Sequence, residues 1–262
     1  MPNPFNKLKP APIAGEDALK FSLSNAKLQK QRTAVFSLPA GYTCPGACDC
    51  LAWFDRDENK LKDGPKAEFR CFAASTEAAF TNSRRAVDHN LALLKKAGTR
   101  EKMALLIDMS LPGKYYHRIR VHANGDFYNQ VYFRAWMDVA AMNPTRTFYA
   151  YTKSLPIWVA NKDDIPKNFV LTASKGGKWD NLIEPNQLRQ AVVVFHPDEA
   201  AAQFLEIDHD DSHAREATGG DFALLIHGMQ AKDSEASTAI KRLKKEGVKF
   251  SYSKKSEQTA NK

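Results

Sequence analysis

Four cysteines lie close together in the sequence, and their spacing is typical of a metal site. Cys44, Cys48 and Cys50 fall within seven residues, and Cys71 follows after an insertion rich in charge. Thiolates are soft ligands that suit zinc and iron–sulfur clusters, and short spacings reduce the entropy lost when ligands converge. All-cysteine zinc sites usually contain paired cysteines, whereas three close cysteines plus one favour a cubane cluster. We therefore expect a 4Fe-4S cluster at these four cysteines, with zinc as the alternative.

The start of the chain bears on the redox state of these cysteines. It has no apolar core of a signal peptide, and no apolar run approaches the roughly 20 residues that cross a bilayer. We therefore expect a cytoplasmic protein that does not enter the membrane. In that compartment structural disulfides are disfavoured, which leaves the thiols available for a metal.

A second group of candidate residues comes directly after predicted strands. In α/β folds the carboxyl ends of parallel strands carry the chemistry, so these residues are expected to share one rim. Strands must end in polar turns in any case, but histidine and lysine are not the usual turn residues. The predicted cofactor-binding residues are Asn124, Gly125, Asp126, Thr152, Ser174, His196 and His227, and the predicted catalytic residues are His122 and Lys153. His122 and Lys153 would bind an anionic group or move a proton.

Strands that alternate with helices must position these residues. Period-two and β-branched runs predict strands at 33–38, 118–121, 147–151, 169–173, 191–195 and 222–226. Helical spacing of apolar residues predicts helices at 76–97, 102–109, 129–142 and 233–246. This alternation implies right-handed βα units. The expected fold is α/β, a partial or distorted (β/α) barrel of about six parallel strand-helix units with a cysteine-rich loop after the first strand.

The positive charge is concentrated at the two ends of the chain. The net charge is +8, and most of the excess lies in residues 1–32 and 241–262. We expect residues 1–31 to form an irregular basic arm, residues 32–247 a single barrel-like domain, and residues 248–262 a basic flexible tail. Basic ends serve either to keep a protein soluble or to bind a polyanion, so nucleic acid is the expected partner and a host protein the other candidate.

Several blocks of sequence are similar to one phage family. The chain resembles the phage gene product 88 family in four motifs: Cys44-Pro45-Gly46-Ala47, Cys71-Phe72-Ala73, Arg120-Val121-His122-Ala123-Asn124-Gly125-Asp126-Phe127 and Phe148-Tyr149-Ala150-Tyr151-Thr152-Lys153. The similarity extends thinly to Leu224-Leu225-Ile226-His227-Gly228, so it covers most of the chain.

A more distant resemblance is to radical S-adenosylmethionine enzymes. Cys44, Cys48 and Cys50 stand where that family has its cysteine triad, and Asn124-Gly125-Asp126 stands where it has an acidic turn that holds the amino group of the cofactor. The triad here is one residue shorter than the family's Cys-x-x-x-Cys-x-x-Cys, and Cys71 is an additional cysteine. The resemblance implies a cluster with S-adenosylmethionine bound beside it.

Two functions are compatible with these features. The first is a phage-type iron–sulfur enzyme resembling radical S-adenosylmethionine enzymes, with nucleic acid or a nucleotide as its substrate. The second is a non-catalytic protein in which the metal staples the cysteine loop while the chain binds nucleic acid or a host protein. In this second case some aromatic residues could stack on bases, although most aromatic residues are expected in the core. The candidates are Trp53, Phe54, Tyr115, Tyr116 and Phe127.

Overall fold

The fold is built around parallel strands joined by helices. A computed structural model of the chain describes residues 18–23, 28 and 30–250. Its strands are β1 (Thr33–Phe36), β2 (Ala52–Asp55), β3 (Lys60–Asp63), β4 (Arg118–Val121), β5 (Thr147–Thr152), β6 (Phe169–Ser174), β7 (Gln190–Val194), β8 (Glu206–Ile207) and β9 (Phe222–Leu225). Its helices are α1 (Phe72–Ala79), α2 (Thr81–Ala97), α3 (Arg100–Ser110), α4 (Gln130–Met142), α5 (Leu155–Val159), α6 (Pro197–Ala202), α7 (Ser212–Arg215) and α8 (Glu235–Lys245).

Seven of the strands form one sheet, and every pairing in it is parallel. The spatial order is β1-β4-β5-β6-β7-β9-β8. The predicted α/β class is confirmed, and all six predicted strands are present. The barrel is not shown: no pairing among the described residues joins β1 to β8, so the sheet has two edges. The outer side of β1 is instead paired at Val35 with Ser22, and at the opposite edge β8 is two residues long and pairs with β9.

One face of the sheet holds the main core. Alternation along β4 directs Ile119 and Val121 into it, where they join Phe36, Trp136 and Phe148. Strands β1, β4, β5, β6 and β7 follow one another across the sheet, and right-handed crossovers in a constant direction place their helices on the same face. The core is therefore the layer between this face and a group of helices that includes α2, α3 and α4.

The opposite face carries a polar contact under a short helix. α7 packs against β5 and β6. Arg120 Nη1 on β4 donates to Asp211 Oδ2 at 2.9 Å, and the Tyr149 hydroxyl on β5 donates to the same oxygen at 2.9 Å. A buried carboxylate that is paired and hydrogen-bonded in this way anchors the segment before α7 to the sheet.

The segment between Cys50 and Cys71, predicted as a loop, contains a β-hairpin. β2 and β3 pair antiparallel, from Ala52 opposite Asp63 to Asp55 opposite Lys60. The Asp55 carboxylate accepts the backbone N–H groups of the turn that follows it. The charged strand β3 is largely exposed, so it lacks the apolar alternation that would have predicted it.

The predicted terminal segments fall largely outside the described residues. This applies to the basic arm at 1–31 and to residues 251–262 of the basic tail. Within the predicted tail, Val248 and Phe250 pack against the core cluster that contains α8 and β9. No helix in the described part of the chain is long and apolar enough to cross a membrane.

Candidate functional site

The segment that carries three of the cysteines lies across the carboxyl ends of the strands. The Leu38 N–H donates to the Asn124 carbonyl, beyond β4, at 2.8 Å. The Lys178 N–H donates to the Gly46 carbonyl at 2.9 Å, and the Asp49 N–H donates to the Gly176 carbonyl, beyond β6, at 3.1 Å. These bonds hold Cys44, Cys48 and Cys50 against the sheet edge at which β4, β5 and β6 end.

Two glycines allow this close approach. A Cβ on Gly46 would lie 2.1 Å from the carbonyl oxygen of Lys153, which is backbone and has little freedom to retreat. Gly125 has φ +83, and a Cβ there would lie 2.5 Å from Thr43 Oγ1. Only glycine fits either position, so the sequence at both places is dictated by the contact between cysteine segment and strand ends.

Cys71 is brought back to the other cysteines by backbone hydrogen bonds. The N–H groups of Glu68 and Phe69 both donate to the Asp49 carbonyl, at 2.8 and 3.1 Å. Cys71 also packs against a small buried cluster that includes Ala40 and Ala52, the residues on either side of the cysteine segment. The hairpin of β2 and β3 thus closes the insertion and returns the fourth cysteine to the site.

Some of the four thiols raise the pKa of others. Burial raises the pKa of Cys44 well above its usual value, with further increases from Asp126, Cys71 and Cys50. Burial likewise raises the pKa of Cys71 to about 12, with an increase from Cys50, while the N–H groups of Ala73 and Ala74 lower it. Cys44, Cys50 and Cys71 are grouped by these effects on pKa and are called here the thiol triad.

Cys48 differs from the thiol triad in the groups that shift its pKa. The charged groups that act on it are Asp49, Lys66 and Lys178, and its thiol is hydrogen-bonded to Asp49. All four cysteines are free and half-buried. In the part of the chain that the structure describes, no group of three or more His, Cys, Asp or Glu side chains is arranged to hold a metal ion.

Lys153 places a buried positive charge beside the triad. Its ammonium donates to the carbonyls of Ser174 at 2.7 Å and Lys175 at 2.5 Å, at the end of β6. Burial raises the pKa of the Cys50 thiol, and the Lys153 cation acts in the opposite direction. Lys153 therefore favours the thiolate form of Cys50. Ser174 takes part in this site through its backbone carbonyl.

Asp126 ties the end of β4 to the end of β5. Its Oδ1 accepts the Thr152 hydroxyl at 2.6 Å and the Phe127 N–H at 2.7 Å, and its Oδ2 accepts the Lys153 N–H at 2.8 Å. Burial raises its pKa, and these hydrogen bonds oppose the rise. Because both carboxylate oxygens already have donors, the geometry assigns Asp126 to positioning Thr152 and Lys153.

Glu77 is a buried carboxylate that sequence reasoning missed. Its Oε1 accepts the Ala40 N–H at 2.7 Å, its Oε2 accepts Arg56 Nη2 at 2.7 Å, and Asn124 Nδ2 donates to Oε1 at 3.5 Å. Burial raises its pKa to about 7, against the lowering effect of Arg56. The sequence does contain a signal for its burial. Glu77 lies three residues after Ala74 and four after Ala73, so all three share the buried side of α1.

Among the histidines of the predicted rim, His227 is the one beside the cysteine site. Its ring lies 4.8 Å from that of Phe72, the residue after Cys71. His122 is instead buried in the core, where its Nε2 is 2.8 Å from the Tyr132 hydroxyl and its ring contacts Phe127. His196 caps α6 and lies 2.7 Å from Glu246 at the end of α8. The structure therefore does not bring His122 or His196 to the thiol triad.

Comparison with known proteins gives one match. A family model described as Gene product 88 matches residues 13–245. No curated protein and no solved structure matches the chain, so the similarity to radical S-adenosylmethionine enzymes gains no support.

Proposed function

The chain belongs to the gene product 88 family of phage proteins, as its motifs predicted, and for this member we propose an iron–sulfur protein whose cluster is held by Cys44, Cys50 and Cys71. The observation that carries the proposal is the pair of hydrogen bonds from Glu68 and Phe69 to the Asp49 carbonyl. These bonds return Cys71 to the cysteine segment. The three proposed ligands therefore come from two separate stretches of the chain.

The chemistry of the triad favours a cluster over zinc. One zinc ion needs four ligands at about 2.0–2.3 Å, whereas the groups that shift the pKa of Cys48 are Asp49, Lys66 and Lys178 and not the other thiols. A cubane cluster is larger than one ion and accepts cysteine thiolates that stand farther apart. We therefore propose Cys44, Cys50 and Cys71 as the ligands, without Cys48, which leaves one position of the cluster open.

The surrounding groups suit negatively charged ligands. Lys153 supplies a buried cation near Cys50, and the N–H groups of Ala73 and Ala74 point toward Cys71. Both features stabilise thiolates, which are the ligating form of cysteine. When bound, a cluster of this kind supplies one-electron chemistry. Three protein ligands leave one position for a small molecule, and S-adenosylmethionine remains the predicted one.

The decisive experiment compares single cysteine variants. We expect protein purified without oxygen to be brown and to contain iron and sulfide. Cys44→Ser, Cys50→Ser and Cys71→Ser should each lose most of the iron and colour, because each removes a ligand. Cys48→Ser is the matched control and should retain both. A colourless protein with one zinc per chain, or equal loss in the Cys48 variant, would contradict the proposal.

A non-catalytic binding role is the second candidate, and the surface of α8 favours it. Lys241, Arg242, Lys244 and Lys245 are all exposed on this helix. A positive helix face of this kind attracts polyanions such as nucleic acid. In this role the cluster would have a structural purpose and would hold the cysteine segment against the sheet edge. Iron-loaded, reduced protein that binds nucleic acid and leaves S-adenosylmethionine intact would favour it over an enzyme.

A further inference from the structure

A cluster of arginines lies at the other edge of the sheet, where the strands begin. Arg32 precedes β1, Arg118 opens β4, and Arg215 ends α7. Arg118 Nη1 donates to the Gln31 carbonyl at 2.8 Å, and Arg215 Nη1 donates to Gln31 Oε1 at 2.8 Å. Two guanidinium groups thus converge on the residue next to Arg32. Since the cysteine segment covers the carboxyl edge, the two sites are at opposite edges.

These three arginines differ from Arg56 and Arg120 in what they contact. Arg56 pairs with two carboxylates and Arg120 with one. In the part of the chain that the structure describes, Arg32, Arg118 and Arg215 form no such ion pair, and their partners are carbonyl and amide oxygens and a tyrosine ring. Burial lowers the pKa of Arg118, and the nearby Arg215 and Arg32 lower it further.

The acidic residue Asp210 contacts this cluster, where three arginines outnumber its single carboxylate. Asp210 Oδ2 accepts the Gln31 side-chain amide at 2.9 Å, and Asp210 meets Arg215 through its backbone carbonyl at 3.3 Å. Like charges held together cost free energy unless an anion offsets them. The cluster is therefore complementary to a bound anion.

Arg32 also carries backbone strain and contacts an exposed aromatic ring. Its φ is +54, a region that is costly for residues other than glycine, asparagine and aspartate. Its guanidinium lies 5.2 Å from the centre of the Tyr115 ring, and 61% of Tyr115 is exposed. Tyr116 meets the Tyr115 ring edge-on at 5.2 Å and fixes its orientation. A flat, exposed ring thus stands directly beside the arginines.

We propose that Arg32, Arg118, Arg215 and Tyr115 form a binding site for single-stranded nucleic acid. The arginines would contact phosphates, and Tyr115 would stack on a base. The exposed ring selects single strands over duplex, because only an unpaired base presents its face to a tyrosine. This site is separate from the basic ends of the chain and does not depend on the proposed cluster.

The test measures binding of a fluorescein-labelled oligothymidine of about 20 nucleotides to the full chain by fluorescence anisotropy. We expect Tyr115→Ala to weaken binding about 10-fold, because a stacked base contributes on the order of 1–3 kcal/mol, and Tyr115→Phe to bind as the wild type does. Arg32→Gln should weaken binding and make it less sensitive to salt. The slope of log Kd against log salt concentration should fall by about 0.7 for each phosphate contact that is lost.

Lys95→Gln is the matched control. Lys95 is exposed in the last turn of α2, its removal costs the same single charge, and the 11-residue helix α3 lies between it and Tyr115 along the chain. It should leave affinity within about two-fold. Circular dichroism checks that each variant is folded. Equal losses in the Lys95 and Arg32 variants would overturn the proposal. So would a Tyr115→Ala protein that binds oligothymidine as tightly as before, since a site indifferent to bases is a general anion site.

Discussion

At the scale of single residues, His122 has the clearest consequence for stability. Burial lowers the pKa of its imidazole to about 3, while an unfolded histidine has its usual pKa of 6.5. Between these values the unfolded chain binds one more proton than the folded chain, so the free energy of unfolding falls as the pH falls. A single histidine gives at most about 1.4 kcal/mol per pH unit.

We expect His122→Asn to remove this contribution. Asparagine tolerates the left-handed backbone that His122 adopts at φ +73 and does not titrate. Urea unfolding between about pH 4 and 6 should give a shallower pH dependence for the variant, although its stability at neutral pH will be lower because the ring contacts are lost. Tyr132→Phe keeps the buried imidazole and should keep the slope. Parallel curves for His122→Asn and wild type would contradict the assignment.

The residues of the site were predictable to different degrees. The turn around Asp126 and the lysine at Lys153 were identified because polar residues directly after a strand are a strong signal. Glu77 was not, since a glutamate in a helix is usually exposed, and only the packing of α1 buries it. The proposal to leave Cys48 out of the ligand set could not be made from spacing either, because spacing does not show which groups shift the pKa of each thiol.

At the scale of elements, the contact between the cysteine segment and β5 depends on Gly46. We expect Gly46→Ala to destabilise the protein by about 2 kcal/mol or more, because its Cβ would collide with the Lys153 carbonyl. Iron content should fall with stability, since the same collision displaces Cys44 and Cys50. Gly113→Ala is the control, as a Cβ there meets nothing within 4 Å. Thermal unfolding and iron analysis measure both effects, and a stable, iron-loaded Gly46→Ala protein would refute this account.

Most helices and strands were predictable, and the exceptions have local causes. The helix expected at 76–97 is two helices, because the backbone at Phe80 is extended and ends α1. β8 was missed because two residues cannot show alternation. The hairpin of β2 and β3 was missed because its second strand is exposed and charged. In each case tertiary contacts decide the element and the local pattern does not.

At the scale of the whole molecule, the structure shows where the basic tail can be removed. Val248 and Phe250 pack against a core cluster, so truncation should begin at residue 251. We expect removal of residues 251–262 to leave thermal unfolding unchanged and to reduce the salt dependence of oligothymidine binding. The reason is that the truncation removes three lysines, Lys254, Lys255 and Lys262, but one acidic residue, Glu257, and so removes net positive charge.

The truncated protein should still respond to Arg32→Gln, because the two changes remove different positive charges. Unchanged affinity and salt dependence after truncation would show that residues 251–262 make no contact with nucleic acid. The arginine cluster itself could not be predicted from the sequence. Its members are separated by 86 and 97 residues, and only the parallel pairing of β1 with β4 brings the first two together.

The early position of the proposed ligands in the chain has a consequence for the order of assembly. Every proposed ligand lies within the first 71 residues, whereas the turns that cover them, around Lys153 and Gly176–Lys178, are translated later. Chains emerge from the ribosome amino end first. The thiols are therefore available to a donor of iron and sulfide before their cover has been made. In the finished protein the Lys178 ammonium and N–H donate to the Pro45 and Gly46 carbonyls, which directly follow Cys44.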